Sequence, residues 1–232
     1  MSTLNKRILM IATSHAVMGN TGRQTGVWAE ELAAPYFIFS DAGVEVQIAS
    51  PLGGKLPFDP SSLKPAGQNE VATERFLADP AAQAKAGATI PVASVDATQF
   101  DAVFFPGGHG AMWDLPGDAG VTRAVEAAFA AHKIVASVCH GAAGLVTAKR
   151  ADGQSILSGK QVNAFTDEEE SATGLTEIVP FMLETRMRAL GGQFQKAPNW
   201  QSFAVRDGQL ITGQNPSSSV LVAQKVLAAF GE

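Results

Sequence analysis

Residues 133–145 read KIVASVCHGAAGL. Ile134 to Val138 form a short run of apolar and small residues, the pattern of a strand buried on both faces. The next segment, GAAGLVTAK (141–149), reads as a helix that starts tightly because its first residues are small. Cys139, the single cysteine in 232 residues, then falls on the turn between strand and helix. In an open α/β sheet that turn lies at the carboxyl ends of the strands, where ligands bind. The positive end of the following helix is expected to favour thiolate over thiol. A lone cysteine is commonly a small buried hydrophobe, but the turn position and the adjoining His140 favour a nucleophile.

The same alternation extends along the chain. RILMIAT (7–13) is a buried strand, residues 27–41 a helix stopped by Gly43, and VEVQIAS (44–50) the next strand. FDAVFFPGGHG (100–110) runs from a strand into a glycine turn, followed by the amphipathic helix AGVTRAVEAAFAAHK (119–133). FAVRDGQLITG (203–213) has the pattern of a hairpin about Asp207-Gly208, and SSSVLVAQKVLAAF (217–230) closes the chain as a helix. Strands spaced by helices predict an α/β, flavodoxin-like doubly wound fold: a mostly parallel sheet, helices on both faces, and a late hairpin. Residues 1–232 are expected to form one domain. The stretch 51–95, rich in proline and glycine at first and with helical pieces at 70–78 and 80–86, is an irregular insertion covering the sheet edge.

Hydrophobic residues at 46% and charged residues at 17% are ordinary for a globular protein that buries a large core. A formal charge of −5 and the absence of a Lys/Arg run argue against nucleic acid or an acidic membrane surface as a partner. One cysteine excludes an internal disulfide and any multi-cysteine metal site, which fits a reducing compartment. The apolar run Ile8–Ala12 is too short for a signal peptide, and no run approaches the ~20 residues of a membrane span, so a cytoplasmic protein is expected. With no G-x-G-x-x-G after the first strand and no Walker A lysine, no organic cofactor is expected.

Three further segments carry chemistry. In FFPGGHG (104–110), the amide near Gly108 and that of His140 are expected to face one crevice and to stabilise an oxyanion, with His109 beside them. In VWAEELAAPYFIF (27–39), residues advance about 100° each around a helix, which places Glu31 amid the apolar face and sends Glu30 toward water. A buried carboxylate has a raised pKa suited to proton transfer. The acidic run FTDEEE (165–170) has the pattern of a solvated helix start, from which Asp167 or Glu170 orients His140.

AVFFPGGHG, ASVCHGAAGL and NAFTDEEE together resemble the ThiJ/PfpI superfamily, whose sheet is similar to class I glutamine amidotransferase domains. TGVWAEELAAPYFIF and RDGQLITGQNPSSS resemble its glyoxalase III branch, which includes heat-induced chaperone-like members. The resemblance implies Cys139 as nucleophile, His140 as its partner, Glu31 as the glutamate touching the cysteine, and Asp167 or Glu170 as the third acid. Where many relatives have proline after Cys-His-Gly, this chain has Ala142. The two-histidine-plus-carboxylate metal site of some larger relatives has no evident counterpart among His15, His109, His132 and His140, so no metal is expected. The activity implied is glutathione-independent conversion of methylglyoxal and related 2-oxoaldehydes to 2-hydroxy acids such as D-lactate, in stress protection, by a homodimer. Two alternatives are a deglycase using the same thiol and a holding chaperone with an apolar patch from Leu56, Phe58 and Trp113. Glutamine amidotransfer needs a late histidine, and none follows His140.

Overall fold

The computed structural model describes residues 5–231. Residues 1–4 and 232, which the reading of 1–232 as one domain includes, lie outside the described residues. The strands are β1 (Arg7–Ile11), β2 (Glu45–Ser50), β3 (Ile90–Pro91), β4 (Ala102–Phe105), β5 (Ile134–Val138), β6 (Gln161–Val162), β7 (Gln193–Phe194), β8 (Ala204–Asp207) and β9 (Leu210–Gly213). The helices are α1 (Ala29–Asp41), α2 (Val71–Ala78), α3 (Pro80–Gly87), α4 (Ala111–Asp114), α5 (Ala119–Ala130), α6 (Asp167–Thr173), α7 (Leu183–Ala189) and α8 (Ser219–Ala229).

Among the described residues a seven-stranded sheet has the order β3-β2-β1-β4-β5-β9-β8. Its neighbours are parallel except the hairpin pair β8–β9. β6 and β7 pair separately as a short parallel ladder. Every residue of β4 and β5 is buried, because both sheet faces are covered. On one face α5 packs Val121, Val125 and Ala128 into the core. On the other, α1 lies against α8, and Phe39 meets Phe104 edge-on at 5.6 Å. Burying each such ring contributes about 1.5–3 kcal/mol. The chain leaves β1 toward β2 and returns to β4 on its other side, so the sheet reverses its order between them. The carboxyl ends there form a crevice.

In the 51–95 stretch, Ile90 and Pro91 pair with Ala49 and Ser50 as the sheet edge, where proline's missing N–H costs no ladder bond. Leu56 is buried, and Phe58 packs on Phe76 at a centroid distance of 5.8 Å. Trp113 stacks on His15 at 5.3 Å and packs against the core, so these three residues form no common exposed patch. No helix among the described residues is long and apolar enough to cross a membrane.

Two local expectations change. The segment after β5 is a 3-10 helix, Cys139–Leu145, and not an α-helix. In 3-10 geometry residues i and i+3 eclipse, which stacks Gly141 and Gly144 on Phe105. A Cβ would lie 2.3 Å from Phe105 O at Gly141 and 2.8 Å from its ring at Gly144. Close packing against β4 therefore selects both the glycines and the tighter helix. In α1, buried residues lie on nearly every side, so the single apolar stripe inferred from the sequence does not exist. Glu30 does not reach freely into water: its Oε2 accepts from Thr73 Oγ1 at 2.7 Å and Thr73 N–H at 3.2 Å, tying α1 to the first turn of α2.

Candidate active site

Cys139 has φ +57, a left-handed conformation rare for a non-glycine residue. Such strain is concentrated at functional sites, where the surroundings over-determine it. Here the turn is held by β5 behind and by Gly141 against β4 ahead. The thiol is 3% exposed and lines a cavity of about 270 Å³ shared with His140, His109, Glu31 and Gly108. Trp28, Phe165 and Trp200 give this cavity an aromatic wall.

His140 Nδ1 lies 3.3 Å from Cys139 Sγ, and its Nε2 lies 2.7 Å from Glu170 Oε2. A neutral imidazole in this setting carries its proton on Nε2, donates to the carboxylate, and leaves Nδ1 to accept from the thiol. Burial, with His109 alongside, lowers the His140 pKa to about 4. Burial acts to raise Glu170, but the hydrogen bonds from His109 and His140 outweigh it and hold the carboxyl well below the usual carboxylate range.

The acidic run is not a solvated helix start, since Glu169 and Glu170 are both buried. Thr166 caps α6, with its Oγ1 accepting from Glu169 N–H at 3.0 Å. That register sets Asp167 on the first turn facing α7, where it accepts from Thr185 Oγ1 and N–H. Asp167 therefore does not reach His140, and Glu170, one turn further in, does. We expect Glu170→Gln to lower turnover by roughly a hundredfold and Asp167→Asn by less than about threefold, as read by steady-state kinetics.

Glu31 is fully buried. Its Oε2 accepts from Gly107 N–H at 2.8 Å, while Oε1 has no conventional hydrogen-bond partner among the described residues. The side chain that interacts with this carboxyl is Cys139. A buried oxygen with nothing to accept from is where the carboxyl keeps its proton. Burial raises the Glu31 pKa to about 8. Burial and the nearby charge of Glu31 also push the Cys139 thiol up, against the pull of the His140 N–H. The expected lowering by a helix end is thus corrected: a short 3-10 helix supplies little dipole, and desolvation dominates.

On the sequence, His109 is expected beside the amides of Gly108 and His140 at the oxyanion crevice. It is buried, its Nε2 lies 2.9 Å from Glu170 Oε1, and its ring centre is 4.0 Å from that of His140. One carboxylate thus serves two imidazoles. Ligand atoms of His109, His140 and Glu170 lie within 4.8 Å of one another, a two-histidine-plus-carboxylate cluster that the sequence reading did not foresee. The sequence hid this cluster because thirty-residue gaps separate its members. Gly108 lines the cavity with φ +104, and a Cβ there would lie 2.2 Å from Gly26 O. Gly108→Ala should cost on the order of 2–4 kcal/mol, measured by denaturant unfolding. The aromatic wall was missed as well, because Trp28, Phe165 and Trp200 come from three separate parts of the chain.

Known proteins match this chain over nearly its whole length. A glutathione-independent glyoxalase of Schizosaccharomyces pombe, hsp3101, is 31% identical, covering 95% of this chain and 94% of that protein. The crystal structure of glyoxalase III from Candida albicans superimposes with a TM-score of 0.89 at 27% identity, covering 98% of each chain. The 24 kDa rapid encystment protein of Francisella tularensis gives a TM-score of 0.92 at 36% identity, covering 97% of this chain and 99% of that one. The family model of the DJ-1/PfpI family matches residues 24–229, a span that holds Glu31, His109, Cys139, His140 and Glu170. The chain belongs to the DJ-1/PfpI family.

Proposed function

We propose that the protein is a glutathione-independent glyoxalase that converts methylglyoxal and related 2-oxoaldehydes to 2-hydroxy acids such as D-lactate. The observation that carries this reading is a buried thiol between a neutral histidine and a protonated carboxyl, inside a small, largely apolar cavity.

Cys139 sulfur adds to the aldehyde carbon. Its proton passes to His140 Nδ1, and Glu170 steadies the imidazolium from behind. The aldehyde oxygen, against the amides of Gly108 and His140, takes the proton of Glu31 and becomes the hydroxyl of a hemithioacetal. Glu31, now a buried carboxylate and a strong base, removes the hydrogen of that carbon, and His140 returns its proton to the neighbouring oxygen. The enediol takes a proton from Glu31 at the neighbouring carbon and loses its hydroxyl proton to His140, giving a thioester. Water cleaves the thioester, giving its hydroxyl to the acyl carbon and its other proton to Glu31, while His140 hands its proton to the leaving sulfur, so the 2-hydroxy acid departs and the thiol, the imidazole and the carboxyl are restored. The sequence is an internal redox exchange between adjacent carbons, so it draws on no external oxidant or reductant.

Purified protein incubated with methylglyoxal in glutathione-free buffer should form one lactate for each methylglyoxal consumed. Consumption without lactate overturns the proposed activity. A chaperone role has no comparable support, since Leu56, Phe58 and Trp113 pack into or against the core.

A further inference from the structure

Glu169 is fully buried, and its carboxylate is a hub for neutral donors. Oε1 accepts from Trp200 N–H at 2.8 Å, Asn215 Nδ2 at 2.8 Å and Gln214 Nε2 at 3.1 Å. Oε2 accepts from Thr166 N–H at 3.1 Å. A capping box uses only the last of these bonds and works equally well at a helix surface. Burying a carboxylate is costly unless several donors converge on it, and here they come from three separate parts of the chain.

Each of those parts bears on the cavity. Thr166 follows Phe165 and starts the helix that carries Glu170. Asn215 precedes Pro216 and Ser217, which line the cavity. Trp200 lines it too, with its indole 5.7 Å from the Phe165 ring. Trp200 also has φ +66, a strained conformation for so large a residue. Its amide is the one that Glu169 holds, so the carboxylate fastens the backbone where it is least inclined to stay.

We propose that Glu169 is a positioning residue that holds Trp200 and the 216–217 rim in place, and so sets how tightly the cavity binds its aldehyde rather than how fast the bound aldehyde reacts. Glu169 does not line the cavity; it holds these neighbours, and its charge also bears on Cys139 and His140, an effect that Glu169→Asp, which keeps the charge, leaves in place. In Glu169→Gln, the KM for methylglyoxal should rise about fivefold while kcat changes less than about twofold. Alkylation of Cys139 by iodoacetamide should accelerate about fivefold, because a loosened rim admits the reagent. Trp200→Ala should reproduce part of both effects, and in the double variant the KM should rise by less than the product of the two single effects, because the two residues share one path to the cavity. Glu168→Gln, at the exposed neighbouring position, should leave both readouts unchanged. The kinetic arm rests on the proposed activity, whereas the alkylation arm needs only the thiol and its pocket. A lower melting temperature with KM and alkylation rate unchanged would reduce Glu169 to a structural cap and overturn the proposal. So would a rise in KM in the double variant equal to the product of the two single effects, which would make Glu169 and Trp200 independent. Should Glu169→Gln fail to fold, Glu169→Asp, which keeps the charge and draws the oxygens back by one carbon, is read the same way.

Discussion

Cys139→Ala should lower lactate formation from methylglyoxal by at least roughly a thousandfold, because it removes the atom that bonds to substrate. The substitution is mild for the fold. Cys139 packs in the cluster with Val138 and Phe165, and alanine loses only the sulfur from a site that already borders a cavity. Circular dichroism and the melting curve should therefore stay close to wild type while turnover disappears. Near-wild-type lactate formation by Cys139→Ala would mean that the thiol is a packing residue and that the chemistry lies elsewhere.

Glu31→Gln should lose turnover by roughly two to three orders of magnitude, because an amide neither gives nor takes the migrating proton. Glu30→Gln should lose less than about threefold, since Glu30 is engaged with Thr73 and not with the thiol. The same substitution has an opposite effect on stability. The Glu31 pKa rises from 4.5 to about 8 on folding. Below pH 4.5 the folded and unfolded chains both hold the proton, and the group has no effect. Between pH 4.5 and about 8 the folded chain keeps a proton that the unfolded chain has released, so stability falls as pH rises. Above about pH 8 the penalty is complete, on the order of 2–5 kcal/mol. A neutral glutamine of the same shape keeps the Gly107 hydrogen bond and removes that penalty. Glu31→Gln should thus be more stable than wild type at pH 8 by about 1–3 kcal/mol, with the advantage vanishing toward pH 4, as measured by denaturant titration at both pH values. Equal stability at pH 8 would show that the carboxyl is not held protonated.

The fold was readable because central parallel strands announce themselves as short, wholly apolar runs. AVFF and IVASV needed no context to be recognised, and the turn after IVASV placed Cys139 at the crevice. Glu31 stood out as a carboxylate among apolar neighbours, although the helix it sits on proved buried on nearly all sides. Its inward direction comes from its place on the first turn, beside the Gly107 amide. What escaped detection depended on register and distance. Asp167 and Glu170 are chemically interchangeable in the sequence, and only the start of α6 at its Thr166 cap decides which one faces His140. Four successive acids resemble a solvent face, yet two of them are buried because donors from the 200 and 215 regions meet one and two histidines meet the other. The 3-10 turn after Cys139 follows from how closely β4 approaches Gly141 and Gly144, which no local propensity encodes.

The central claim, that Cys139 takes the aldehyde covalently and Glu31 then moves its proton, is tested most directly by native mass spectrometry of Glu31→Gln mixed with methylglyoxal. Addition should still proceed, with the thiol proton passing through His140 to the aldehyde oxygen, while proton transfer between the carbons stalls, so the protein should gain the mass of one methylglyoxal on Cys139, and Cys139→Ala/Glu31→Gln should gain none there. Full lactate turnover by Glu31→Gln, or the same adduct on protein lacking Cys139, would contradict the account.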